Sequence, residues 1–114
     1  MAFYMIQVAY NTDGWKGLIA HPQDRIEAIK PALEQLDGKM VAGWLSFGDY
    51  DVVGIIDLPT NVSAAAFSMA VSAGGTVASF KTTPLMSMDE AVAAMELAGE
   101  SAYMPATPKD TVTA

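Results

Sequence analysis

The chain is predicted to be an α+β domain, with an antiparallel four-stranded sheet carrying its helices on one face. Three observations point there. Strand-like and helix-like runs alternate in the order βαββαβ, and one more helix follows. The two middle strands are separated only by Gly48-Asp49-Tyr50-Asp51, which has the composition of a hairpin turn. The 114 residues suit one domain, and 52% of them are apolar against 17% charged. That is more apolar surface than one small core absorbs.

Phe3 to Tyr10 is the first strand, rich in aromatic and β-branched residues, and Asn11-Thr12-Asp13-Gly14 breaks it. Pro22 to Leu36 is the first helix: Ile26, Ile29, Leu33 and Leu36 recur at spacings of three and four. Pro22 suits its first position, and Pro31 falls opposite the apolar stripe, where its lost hydrogen bond can face water. Asp37-Gly38 ends it. Lys39 to Phe47 and Val52 to Leu58 are the second and third strands. Thr60 to Ala73 is a second helix, apolar almost all round, with Val62, Ala66, Met69 and Ala73 on one side and Phe67 and Val71 away from them. It should therefore be buried on two sides, by a subunit contact or under another helix, and Phe67→Asp should break association if this helix is an interface and leave it intact otherwise. Gly74-Gly75 closes it with a left-handed cap.

Thr76 to Leu85 is the fourth strand. Ser87-Met88-Asp89-Glu90 then forms a capping box opening a third helix to Ala98, with Met88, Ala91, Val92 and Met95 as its buried stripe. Residues 1–99 make the domain, and 100–114 an extended tail, disordered at its end. The sheet face away from the helices would carry Met5, Ala9, Met40, Ala42 and Trp44. A second copy is the expected cover, giving a homodimer or higher homo-oligomer with an isologous interface.

The formal charge of −7 argues against nucleic acid and anionic membrane surfaces as partners. The absence of cysteine excludes disulfides, thiolate metal sites and cysteine nucleophiles, and a lone histidine excludes a multi-histidine cage. Residues 58–80 carry no charge, but Pro59, Asn61, Gly74, Gly75 and several serines interrupt the run, so no membrane span is expected. No secretory signal opens the sequence, and the cytoplasm is the expected compartment.

The segment Trp44-Leu45-Ser46-Phe47-Gly48-Asp49-Tyr50-Asp51-Val52-Val53-Gly54 resembles the signature of the GYD domain family, named for a Gly-(acidic)-Tyr-Asp run. The opening strand through Tyr10-Asn11, Arg25-Ile26-Glu27, Asp37-Gly38-Lys39 and Thr82-Thr83-Pro84-Leu85 are similar to it as well, so the resemblance covers roughly the first 95 residues. It implies a dimeric α+β barrel of ferredoxin-like subunits. The wider group includes cofactor-free monooxygenases, isomerases, hydratases and binding domains. The family brings no catalytic residue with it, and a fold alone supplies none.

The candidate chemistry rests on a few side chains. Tyr50 could hydrogen-bond a ligand at a cavity mouth, with Asp49 or Asp51 as base or orienter. The structural alternative is a turn in which Gly48 takes a positive φ, an Asp bonds backbone and Tyr50 packs. His21, which titrates near neutrality, could act as a general base, or stand in solvent at a helix cap. Arg25 could hold a carboxylate ligand between helix and sheet, or pair with an acid at the helix edge. Lys81 could balance Asp57 or a ligand anion, or guard a sheet edge. Trp15 and Trp44 could wall a flat ligand, or fill core. The eight methionines, Met86 and Met88 included, are core filler rather than a metal site. No Gly-rich phosphate loop follows a strand, and no cofactor is expected.

Three functions stay open at this point. The chain binds a small, mostly apolar metabolite or serves as an accessory module. Alternatively it is a cofactor-free enzyme, an isomerase, hydratase or monooxygenase, using His21, Asp49 and Tyr50 for proton transfer. Or it is a structural or protein-interaction module.

Overall fold

The computed structural model describes residues 2–106. The elements are β1 (Ala2–Tyr10), α1 (Thr12–Ala20), α2 (Arg25–Gln35), β2 (Lys39–Leu45), β3 (Val52–Leu58), α3 (Asn61–Ala73), β4 (Val77–Pro84) and α4 (Met88–Gly99). The four strands form one antiparallel sheet in the order β2-β3-β1-β4. This α+β arrangement is the ferredoxin-like order expected from the sequence. No helix among the described residues is long and apolar enough to cross a membrane.

Alternation along the strands decides which side is covered. Register sets Tyr4, Ile6 and Val8 of β1 beside Ile56, Gly54 and Val52 of β3. On the other flank they meet Pro84, Thr82 and Phe80 of β4. This is the helix-facing side, where Tyr4, Ile6, Ile56 and Leu58 pack with Leu33 of α2 and with Ala64 and Phe67 of α3. Ile6, Leu33, Ile56 and Leu58 are the most deeply buried. The opposite face carries Phe3, Met5, Val53, Ile55 and Ala42 in its middle, with Gln7, Lys81 and Thr83 toward β4.

The junctions show why the sequence folds this way. Asp37 and Gly38 close α2 with a paired motif: the Gly38 amide donates to the Leu33 carbonyl at 2.8 Å, and the Asp37 amide to that of Glu34 at 3.0 Å. The left-handed residue is Asp37, at φ 59, one position earlier than a glycine would suggest. Gly38 is needed for another reason, since a Cβ there would collide with the Leu58 side chain and the Asp57 carbonyl. Two capping boxes open helices: Thr60 with Ser63 at α3, and Ser87 with Glu90 at α4, the second as expected from S-x-x-E.

Five local expectations are corrected. Thr12, Asp13 and Gly14, read as part of a break, and residues 15–20, given no element, together form α1. Asn11 is both the end of the strand and an N-cap, its Oδ1 accepting from the Gly14 amide at 2.9 Å. The following helix starts at Arg25 rather than Pro22, because Asp24 caps it with bonds from the Ile26 and Glu27 amides. It then runs through Pro31, which is exposed. Met40 does not share a face with Ala42 and Trp44: a bulge between Met40 and Ala42 turns Met40 toward the core. Phe67 is 3% exposed and packs edge-on against Phe80, so it belongs to the core. The stripe of α4 is not buried in one chain, and Met88, Val92 and Met95 are all exposed. Residues 101–106 carry no regular structure, and the tail end expected to be disordered, 107–114, lies outside the described residues.

Because Phe67 fills the core, Phe67→Ala is expected to lose about 3–5 kcal/mol of stability. Urea unfolding followed by circular dichroism measures it, and a loss below about 1 kcal/mol would contradict the core placement.

Candidate functional site

The concave part of the molecule lies where the end of β1, helix α1 and the start of α2 meet. Asn11 ties this corner together. Its amide donates to the Thr76 carbonyl at 3.1 Å and its Nδ2 to that of Gly75 at 2.8 Å, so the start of α1 is fixed to the start of β4. Gly14 is buried there, and a Cβ on it would collide with the Thr76 carbonyl. One turn on, Trp15 meets the Tyr10 ring edge to face, with centroids 5.5 Å apart.

Asp51 holds the sheet side of the same corner. Its Oδ2 accepts from the Tyr10 amide at 2.9 Å. Its own amide donates to the Val8 carbonyl, and its carbonyl accepts from the Ser46 amide, both at 2.7 Å. The β1–β3 ladder ends at Val8 and Val52, so the Tyr10 amide, two residues further on, lies beyond the regular ladder, and the carboxylate supplies its partner.

Three cavities adjoin. One of about 330 Å³ is lined by Trp15, Leu18, Pro22, Ile26, Trp44, Leu45 and Val52, among others. A second of about 220 Å³ runs inward past Ile6, Val8, Ile29, Phe67 and Phe80. A third of about 200 Å³ lies toward α1, past Asp13, Gly17 and Thr76. Tyr10 and Arg25 line all three. The Tyr10 hydroxyl is raised above its ordinary value, first by burial; Arg25 pulls it back down, and the Asp51 carboxylate pushes it up. The phenol therefore keeps its proton at neutral pH and can donate it in a hydrogen bond.

The residues singled out from sequence divide into two sets. Trp15, Arg25 and Trp44 line the 330 Å³ cavity. Asp51 stands behind it as a backbone tie. His21, Asp49 and Tyr50 line none of these three cavities, nor a fourth of about 370 Å³ beside Tyr4, Asn61 and Thr82. His21 is exposed and closes α1, its amide donating to the Gly17 carbonyl at 2.9 Å. Asp49 is exposed and Tyr50 half-buried in the β2–β3 loop. Gly48 does not take a positive φ, since Gly75 is the one glycine with that geometry among the described residues. Lys81 is exposed on the edge strand β4, beside Gln7, and register keeps it away from Asp57, which lies across from Phe3 and Lys39. Asp57 is buried, and its Oδ1 has no hydrogen-bond partner. Among the described residues no three His, Asp or Glu side chains form a group able to hold a metal ion. Tyr10 and Leu18 were missed as lining residues. The legible signal was Asn11 as an N-cap with Asp13 in the first turn and Trp15, Leu18 and Ile19 at helical spacing.

A family model described as GYD domain matches residues 4–95. The chain belongs to the GYD domain family. The match spans β1 through most of α4, so both Tyr10 and Asp51 of this GYD domain fall inside it. No curated protein and no solved structure gives a significant match.

If Asp51 is the tie described, Asp51→Ala leaves the Tyr10 amide unpartnered. It is expected to cost about 1.5–3 kcal/mol. A urea midpoint unchanged from wild type would rule the tie out.

Proposed function

We propose that this GYD domain binds a small, mostly apolar metabolite in the cleft between α1, α2 and the sheet. The observation that carries it is the 330 Å³ cavity, walled by Trp15, Leu18, Ile26, Leu45 and Val52 and joined to a second apolar cavity at Tyr10 and Arg25. Volumes of about 300 Å³ and more, apolar walls and a few convergent polar groups are what small-molecule sites share. The alternative of proton transfer by His21, Asp49 and Tyr50 draws no support from these cavities, since none of the three residues lines them.

A thermal-shift screen of aromatic and acyl compounds tests the reading. A ligand at about one hundred times its Kd adds about 2.7 kcal/mol, enough to raise Tm by several degrees. Trp15→Ala is expected to weaken binding about tenfold or more through lost aromatic contact. A screen in which no compound moves Tm overturns it.

A second copy as partner is favoured by α4. In one chain Met88, Val92 and Met95, which share one side of the helix, are 75%, 50% and 65% exposed, which leaves a contiguous apolar helix face in water. Phe3 and Val41 are half exposed on and beside the uncovered sheet face. Light scattering after size exclusion is expected to give twice the chain mass of 12.0 kDa. Met95→Asp is expected to shift the equilibrium toward one chain. A compact 12.0 kDa species for the wild type at micromolar concentration contradicts the pairing.

A further inference from the structure

The cleft contains a cation with no ion-pair partner among the described residues. Arg25 is the first residue of α2; its guanidinium donates from Nη1 to Oε1 of Gln23 at 2.8 Å and lies beside the Tyr10 hydroxyl. It forms no ion pair: among the described residues the only one joins Lys30 to Glu27. Of the acids at this corner, Asp13 lines the third cavity without forming an ion pair, and the other two have backbone partners. Asp24 caps α2 through the Ile26 and Glu27 amides, and Asp51 holds the Tyr10 amide. A guanidinium carries five donors in a planar fork that matches a carboxylate, so most of the donor capacity of Arg25 is open.

Its surroundings sharpen the point. The same cavity is walled by Trp15, Leu18, Ile26 and Val52, and apolar walls strengthen a charge-assisted bond relative to water. Tyr10, the other polar group shared by all three cavities, is a neutral O–H donor at pH 7. Fork and hydroxyl are donors, and both border the point where the cavities meet. The chain as a whole is negative by 7 charges, which opposes an incoming anion at long range. Retention of one must then come from contact donors rather than from steering.

The geometry points to a carboxylate with a flat apolar body as the ligand class. Its head bonds the Arg25 guanidinium and the Tyr10 hydroxyl, and its body lies in the 330 Å³ cavity against Trp15. This rests on the cleft being a binding site, as proposed above, and adds the charge of the ligand.

Calorimetric titration of the full chain with 1-naphthoate and 1-naphthamide at pH 7 separates the two statements, because the pair shares a body and differs in head charge. Naphthoate is expected to bind about tenfold tighter or more. In Arg25→Gln that preference falls to within about twofold, because naphthoate loses more affinity than naphthamide. Arg25→Lys, which keeps charge without the fork, retains part of it. Tm of each variant close to wild type shows that the fold is intact, as an exposed side chain without an ion pair leads one to expect. Equal affinities in the wild type, or a preference that survives Arg25→Gln, overturn the anion assignment and leave the cleft standing. Binding of neither compound overturns both.

Discussion

The carboxylate of Asp51 bonds the Tyr10 amide where β1 runs past the end of its ladder with β3. On that bond depends how the chain turns from sheet into α1. Without it, a strand end carrying an unpaired amide would sit beside an apolar cleft, where water satisfies it poorly. With it, the Tyr10 backbone is fixed, the ring lies against Trp15, and Asn11 is placed to cap α1 and reach Gly75 and Thr76 together. The last residue of the Gly-Asp-Tyr-Asp run thus acts through backbone geometry, one layer behind the cavity.

The cleft wall is assembled from segments distant in sequence. α1 and the start of α2 supply Trp15, Leu18 and Ile26, the β2–β3 hairpin supplies Trp44, Leu45 and Val52, and α3 with β4 supplies Phe67 and Phe80 further in. Each is held by its own device: the Asp24 cap at α2, the hairpin closed by Ser46 and Asp51, the Phe67–Phe80 contact. A polar pair, Tyr10 and Arg25, sits where these walls converge. An apolar interior with donors and few acceptors of its own favours guests that bring acceptors.

Much of the fold was legible because periodicity and capping chemistry are local. Val52–Leu58 needs no tertiary knowledge to read as a strand, and S-x-x-E at Ser87 reads as a capping box. The Asp37-Gly38 stop was readable too, although the left-handed residue is Asp37 and the glycine serves close packing against Leu58. Misreadings arose where one residue has two roles. Asn11 ends a strand and begins a helix, and a turn-rich tetrapeptide hides the second role. The bulge after Met40 breaks a strict alternation, which no composition signals. Phe67 looked outward on a helix apolar all round, where rotation alone cannot say which stripe meets the sheet. For the site, Trp15, Arg25 and Trp44 were recognisable as residue types suited to a ligand. Tyr10 was hidden as one of several alternating strand residues, and the role of Asp51 needed the β1–β3 register.

The exposure of α4 has a thermodynamic side. Its 12 residues bury no side chain in one chain, and its first turn is held by the Ser87–Glu90 box. A helix of that length without tertiary support is close to the margin in water. Its amide protons therefore exchange with solvent on a clock of their own, set by local fraying, while those of β1 and β3 wait for the whole sheet to open. Heated alone, the protein loses part of its ellipticity gradually before the cooperative step, and a single two-state fit to that curve understates the steepness with which the core gives way.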